Sequence, residues 1–183
     1  MGWIKQIRDK IGTYLLQGMA VKKTHAAQAL PSYNSIHEIG IVYDAGNKKQ
    51  EEQVNKIAQI LRSEGKKVMT LGFVNAPKLP YQNKFHISSE YYWQETLTFF
   101  NLPEKAKIGR FLEFEFDLLM NLFFEKELPL QAIAALSKSR FSMAANLSNA
   151  LPYNDVLIDT GSNKDIVNLA MQMIHYLKVL HKS

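Results

Sequence analysis

Apolar side chains recur every three or four positions near the start of the chain, which is the spacing of one helix face. The pattern begins at Trp3 and reaches Met19. We therefore predict an amphipathic helix over residues 3–23. Residues 24–35 carry small side chains and a proline, so they predict a linker. The apolar face of the predicted helix is formed by Trp3, Ile4, Ile7, Ile11, Tyr14, Leu15 and Met19.

A different pattern begins at Ile36, where short β-branched and aromatic runs alternate with longer segments of helical periodicity. Residues 39–43 and 68–73 predict two buried strands. Residues 48–63 between them predict a helix that ends near Gly65. A strand, a helix and a second strand form a βαβ unit, which joins two parallel strands through a right-handed crossover.

The second half of the chain continues this alternation. Residues 116–123 carry apolar side chains at both odd and even positions, which predicts a central strand with both faces buried. Helical periodicity then runs from Pro129 to about Lys138. The other predicted elements are a weak strand at residues 85–88, helical turns around residues 108–112, strands at residues 141–145 and 156–158, and a final helix that ends near His181.

Strands that alternate with helices predict an α/β fold with a mostly parallel sheet and helices on both faces, of Rossmann-like or flavodoxin-like type. A length of 183 residues is enough for one such domain with a sizeable core. The chain is thereby divided into a basic amphipathic N-terminal helix at residues 1–23, a linker at residues 24–35 and an α/β domain at residues 36–183.

The formal net charge of +5 is distributed unevenly along the chain. Residues 1–23 hold five basic residues against one acidic residue, whereas the remaining residues hold 17 basic and 16 acidic ones. The α/β domain is thus almost neutral, and the positive charge belongs mainly to the predicted N-terminal helix. The five basic residues are Lys5, Arg8, Lys10, Lys22 and Lys23.

Several classes of protein are excluded by composition. The chain contains no cysteine, which excludes disulfide bonds, thiolate metal sites and thiol catalysis. No apolar run reaches the ~18 residues that a transmembrane helix needs. The apolar run after the basic start is interrupted by Thr13 and Gln17, unlike that of a signal peptide. We therefore predict a cytoplasmic protein without a transmembrane segment.

The α/β domain resembles a known family in several short segments spread over residues 36–180. Those segments are Ile39-Gly40-Ile41, Gly65-Lys66-Lys67-Val68, Phe116-Asp117-Leu118-Leu119 and Ser137-Lys138-Ser139-Arg140-Phe141. Together they are similar to an uncharacterised family of the Bacteroides–Flavobacterium lineage, a domain of unknown function. The resemblance implies no activity, cofactor or catalytic residue, and it leaves the basic helix as an N-terminal extension.

Polar residues follow the first predicted strand, at the sheet edge where α/β proteins commonly bind ligands. Asp44 and Asn47 lie in this turn, and Lys48 begins the next helix. A helix N-terminus with a lysine can hold an anion. However, the glycine spacing of a dinucleotide site or a P-loop is missing. A turn whose side chains bond their own backbone is the interpretation we favour.

Two carboxylates follow predicted strands, Asp44 after the first and Asp159 after the last. On neighbouring strands they could share a magnesium ion, although separate turn roles are the interpretation we favour. Asp117 and Asn121 stand four positions apart on one strand, so they could line a cleft or be buried polar groups paired with backbone. The histidines lack the spacing of a zinc site, and we predict no metal and no cofactor.

The N-terminal helix carries the main functional hypothesis, because an apolar face flanked by cations can meet an anionic surface. We predict a non-enzymatic binding protein, and RNA in a ribosome-like particle is the first hypothesis. The five basic residues would contact phosphates, and Trp3, Ile7 and Ile11 would form an apolar anchor.

Two other functions and one structural interpretation stay open. An anionic membrane surface, bound by the same helix, is the second hypothesis. A small-molecule or phosphate-binding enzyme with a site at the strand ends is the third. The structural interpretation is that Trp3, Ile7 and Ile11 simply cover the sheet.

Overall fold

The computed structural model describes residues 2–20, 30–79, 88–148 and 151–179. Its helices are α1 (Gly2–Met19), α2 (Lys48–Ser63), α3 (Lys105–Glu113), α4 (Leu128–Leu136) and α5 (Ile166–Val179). Its strands are β1 (Glu38–Asp44), β2 (Lys67–Val74), β3 (Ser89–Trp93), β4 (Leu118–Leu122), β5 (Phe141–Ala145) and β6 (Val156–Ile158). Short 3-10 turns at Tyr33–Ser35 and Gln94–Thr96 precede β1 and follow β3.

The described strands form a six-stranded sheet in the order β3-β2-β1-β4-β5-β6. Every neighbouring pair in this order is parallel. The chain builds one half of the sheet outward from β1 to β3 and then returns to the centre, so the order reverses between β1 and β4. This is the Rossmann-like order of strands. The predicted α/β fold is confirmed.

The central strands bury both faces, because helices cover the sheet on each side. On one face, Ile41 and Tyr43 of β1 belong to the core shared with α2 and α5. On the other face, Val42 belongs to the core shared with α3 and α4. Gly40 lies on this second face, where an added Cβ would come within 2.9 Å of the Phe116 ring. The apolar side chains on both faces of β1 and β4 follow from this double coverage.

Helix α4 is apolar around most of its circumference, so it needs cover on two sides. Leu130 and Ile133 fill the core between α4 and the sheet. Leu128 and Ala132 face the other way and pack with Leu16 of α1, which is fully buried. Helix α1 is thus a third layer, stacked on α4 and separated by it from the sheet.

Two element boundaries of the described residues differ from the predicted ones. Helix α1 ends at Met19 rather than at residue 23, and residues 21–29 lie outside the described residues. The third strand begins at Ser89, whereas the sequence predicts it at residues 85–88, of which only the last is described. Tyr92 accounts for the position of β3, since its buried ring contacts Phe73 and its hydroxyl donates to the Pro129 carbonyl at 3.1 Å.

The docking of α1 can be tested by Leu16→Ala. We expect this change to lower the free energy of unfolding by about 2–4 kcal/mol, because it leaves a cavity between α1 and α4. Leu15→Ala is the matched control, since Leu15 is exposed, and it should change the free energy by less than about 0.5 kcal/mol. Urea unfolding followed by circular dichroism measures both. Equal losses in the two variants would show that α1 does not dock through Leu16.

Candidate functional site

The turn after β1 uses its polar side chains to bond its own backbone. Asp44 Oδ1 accepts a hydrogen bond from the Gly46 amide at 2.9 Å, and Asn47 Oδ1 accepts one from the Lys49 amide at 2.9 Å. Asn47 is thereby the N-cap of α2. Lys48 is exposed and begins the helix. This geometry agrees with the favoured interpretation of a structural turn.

The two strand-end aspartates are too far apart to share an ion. Asp44 ends β1 and Asp159 follows β6, and β4 and β5 lie between those strands. Three strand spacings separate them by about 14 Å. Asp159 Oδ1 accepts from the Gly161 amide at 2.8 Å, which is again a turn role. The hypothesis of a shared magnesium site is therefore wrong, and no cluster of His, Cys, Asp or Glu among the described residues is arranged to hold a metal ion.

Asp117 and Asn121 do not line one cleft, because they lie at opposite ends of β4. Asp117 precedes the strand, and its Oδ2 accepts from the amides of His37 and Glu38 at 2.9 and 3.0 Å. Asn121 is fully buried near the other end, where its Nδ2 donates to Asn154 Oδ1 at 2.7 Å. Asp117 is half-buried and bonds backbone amides, whereas Asn121 is fully buried and bonds the side chain of Asn154, so each residue meets only part of the alternative interpretation of buried polar groups paired with backbone.

The carboxylates of Asp44, Glu125 and Glu127 nevertheless lie close enough to interact where the strand order reverses. Burial raises the pKa of Asp44 above its ordinary value, the amide hydrogen bond from Gly46 opposes this, and the charges of Glu125 and Glu127 raise it further. Glu127 is itself held by two partners. The Lys5 ammonium lies 3.3 Å from its Oε2, and Asn75 Nδ2 donates to its Oε1 at 3.1 Å. Helix α1 thus reaches the edge of the sheet through Lys5.

Arg8 fixes α1 to the loop after the second 3-10 turn. Its Nε donates to the Phe99 carbonyl at 2.5 Å, and its Nη2 donates to Asn101 Oδ1 at 2.9 Å. Asn101 Nδ2 in turn donates to Asp9 Oδ1 at 2.6 Å. One turn further along α1, a Cβ on Gly12 would lie 2.3 Å from the Phe100 carbonyl oxygen, so only glycine permits this approach. The face of α1 that meets the rest of the protein therefore combines the polar residues Arg8 and Asp9 with Gly12 and, one turn further, the fully buried Leu16.

The apolar face of α1 points to solvent. Trp3 and Tyr14 expose 65% and 74% of their surface. The interpretation that Trp3, Ile7 and Ile11 cover the sheet is therefore wrong, because the polar contacts turn these residues outward. We call the exposed set the apolar stripe; it consists of Trp3, Ile4, Ile7, Ile11, Tyr14, Leu15 and Met19.

Of the five predicted phosphate-binding cations, the three that the structure describes do not form one cluster of free side chains. Lys5 and Arg8 bind other parts of the chain, whereas Lys10 is exposed. Lys22 and Lys23 lie outside the described residues. The periodicity of the sequence missed Gly12 and Leu16 as the docking residues. Their spacing of four, continued at Ala20, is the signal that could have found this row.

No helix within the described ranges is long and apolar enough to cross a membrane. The family model for a family of unknown function, DUF6913, matches residues 8–180. The chain belongs to this family. The match to DUF6913 begins within α1, so most of this helix lies inside the family domain rather than before it. Neither the curated proteins nor the solved structures include a match to the chain.

The unfavourable burial of the Asp44 charge can be tested by Asp44→Asn, since asparagine keeps the acceptor for the Gly46 amide. The raised pKa means that the folded state favours the protonated carboxyl. The free-energy cost of burying the Asp44 charge is absent at low pH, because the carboxyl is protonated in both the folded and the unfolded state. This cost develops as the pH rises above 3.8, the ordinary pKa of the group. We therefore expect Asp44→Asn to raise the free energy of unfolding at pH 7 but not at pH 3.

Asp159→Asn is the control for this experiment, because Asp159 is exposed and makes the same kind of turn hydrogen bond to Gly161. Urea unfolding at the two pH values compares both variants with the natural protein. A loss of stability at pH 7 in Asp44→Asn would contradict the expected cost and would instead assign a stabilising role to the carboxylate.

Proposed function

We propose that this member of the DUF6913 family is a non-enzymatic binding protein that attaches to an anionic lipid surface through α1. The observation that carries the proposal is the apolar stripe, which lies along the outer face of a helix whose opposite face is docked. An apolar strip of this length on a protein surface is typical of an interaction site. Its buried anchor, Leu16, keeps the helix in place while the stripe stays accessible.

The composition of α1 suits the boundary between lipid headgroups and acyl chains. Helices that lie in this boundary combine basic residues with an apolar face containing tryptophan or large aliphatic residues. Trp3 stands near the start of the stripe, and isoleucines occupy its middle. The aromatic rings of Trp3 and Tyr14 carry polar groups that favour the headgroup level. Such a helix lies on a membrane and does not span it.

The charge of the N-terminal part favours anionic lipid over neutral lipid. Lys10 is exposed on α1, and the side chain of Lys5 remains 56% exposed beside Glu127. Each basic residue near an anionic membrane adds about 1 kcal/mol of attraction. Because the cytoplasmic leaflet carries the negative surface potential, the proposal agrees with the cytoplasmic location predicted from the sequence.

Attachment to RNA, as in a ribosome-like particle, is the second candidate, and the excess of positive charge before residue 24 is the observation in its favour. Phosphate contacts need free cations, but Arg8 donates to the Phe99 carbonyl and to Asn101. RNA also has no evident use for a continuous aliphatic strip, since its contacts with proteins rest on phosphates and base stacking. The exposed face of α1 therefore supports lipid better than RNA.

The proposal is tested by flotation of the full-length protein with vesicles of phosphatidylglycerol and phosphatidylcholine. We expect the natural protein to float with these vesicles and not with phosphatidylcholine alone. The double change Ile7→Ser and Ile11→Ser should lower the partition coefficient at least tenfold, because it removes two side chains that would enter the lipid.

Ile60→Ser is the matched control, since Ile60 is an exposed isoleucine on α2, away from the stripe. It should float like the natural protein. Equal flotation of all three proteins, or no flotation of any, would refute attachment through α1.

The RNA candidate is tested with the same variants by a salt titration of binding to poly(U). Contact of Lys10 with a phosphate predicts that Lys10→Gln lowers the slope of log affinity against log salt by about 0.7. Strong binding with this change in slope, unaffected by Ile7→Ser and Ile11→Ser, would support RNA over lipid.

A further inference from the structure

The loop between the second 3-10 turn and α3 is tightly closed and presents one aromatic ring at its tip. Leu97 and Pro103 are paired across its base as an antiparallel bridge. Within it, the Thr98 amide donates to the Leu102 carbonyl at 2.8 Å, and the Asn101 amide donates to the Thr98 carbonyl at 3.0 Å. Asn101 has a φ of 58°, the left-handed conformation that asparagine tolerates in tight turns. We call this segment the Phe99 loop.

Phe99 exposes 71% of its surface at this tip. Its ring meets Phe100 edge to face, with the centroids 5.3 Å apart, and Phe100 is the partly buried member of the pair. The Arg8 guanidinium lies 4.9 Å from the centroid of the Phe99 ring. The ring is thus supported by one aromatic neighbour and one cation, yet most of its surface meets water.

The Phe99 loop and α1 are held together as one unit. Arg8 donates to the backbone and to a side chain of the loop, and Asp9 accepts from Asn101. Gly12 allows the loop backbone to touch the helix directly. The same contacts that turn the apolar stripe outward therefore hold the Phe99 ring against Arg8 on the side of α1.

We propose that Phe99 is a second lipid-inserting element, which extends the apolar stripe into a two-part surface that lies on the headgroup and acyl-chain boundary of an anionic bilayer. This inference rests on the proposed function. Charge complementarity identifies lipid as the occupant, because Arg8 lies directly beside the ring and Lys10 is exposed on the same helix. A guanidinium stacked on an aromatic ring supports the ring, and its positive charge is attracted to an anionic lipid surface while the ring enters the apolar layer.

Insertion of Phe99 is measured by fluorescence in the full-length protein. Phe99→Trp is combined with Trp3→Phe, so that the new indole replaces that of Trp3 while the stripe stays apolar, and the constant signal of Trp93 is subtracted by means of the Trp3→Phe protein. On addition of anionic vesicles we expect a blue shift and quenching by brominated acyl chains. Met171→Trp in the same Trp3→Phe background is the control, because Met171 is exposed on α5, and it should show neither change.

Flotation measures how much Phe99 contributes to the affinity for anionic vesicles. We expect Phe99→Ser to lower the partition coefficient about tenfold, and Phe99→Leu to lower it much less, because leucine retains most of the apolar surface. Thermal unfolding should be unchanged in both variants, since the ring is exposed in the free protein.

The outcomes separate this inference from the proposed function. If Phe99→Ser floats like the natural protein while the change at Ile7 and Ile11 abolishes flotation, the inference fails and lipid attachment stands. If none of these changes affects flotation, the proposed function fails as well. A dimer in sedimentation that Phe99→Ser dissociates, without any vesicle binding, would assign the surface to a second copy of this chain and overturn both.

Discussion

The close approach of α1 to the Phe99 loop is the contact on which the surface of this protein depends. Gly12 lets the Phe100 carbonyl reach the helix backbone, and Arg8 and Asp9 secure the loop on the neighbouring turn. Only one face of a surface helix can pack against the protein interior. Since this face is occupied by glycine, charged residues and Leu16, the large apolar side chains have to face outward.

Helix α4 is the surface on which α1 packs. Its residues are apolar on the side of the sheet and on the side away from it, as Leu130 and Ala132 illustrate. Without α1, the outer side of α4 would be exposed to water, which is unfavourable for a helix of this composition. This need for cover agrees with a family match that includes most of α1.

At the carboxyl ends of the strands, unlike on the exposed surface of α1, the polar side chains are bonded to other parts of the chain. The side chains of Asp44 and Asn47 serve the turn after β1, and Asp159 serves the turn after β6. Glu127, at the N-cap of α4, is neutralised by Lys5 of α1. The edge where Rossmann-like proteins commonly hold their ligands is therefore used here to position turns and to receive the N-terminal helix.

Local periodicity determined the kinds of elements, because alternation and three-to-four spacing are properties of neighbouring residues. Thus α2 begins and ends as predicted, and β5 and β6 do too. Strand order, and with it the separation of Asp44 from Asp159, depends on pairings between distant parts of the chain. Periodicity likewise showed which residues share a face of α1, but the direction of that face was decided by tertiary contacts. Hydrogen bonds to residues about ninety positions away, and the contact at Gly12, place Arg8, Asp9 and Gly12 inward and leave the apolar stripe exposed.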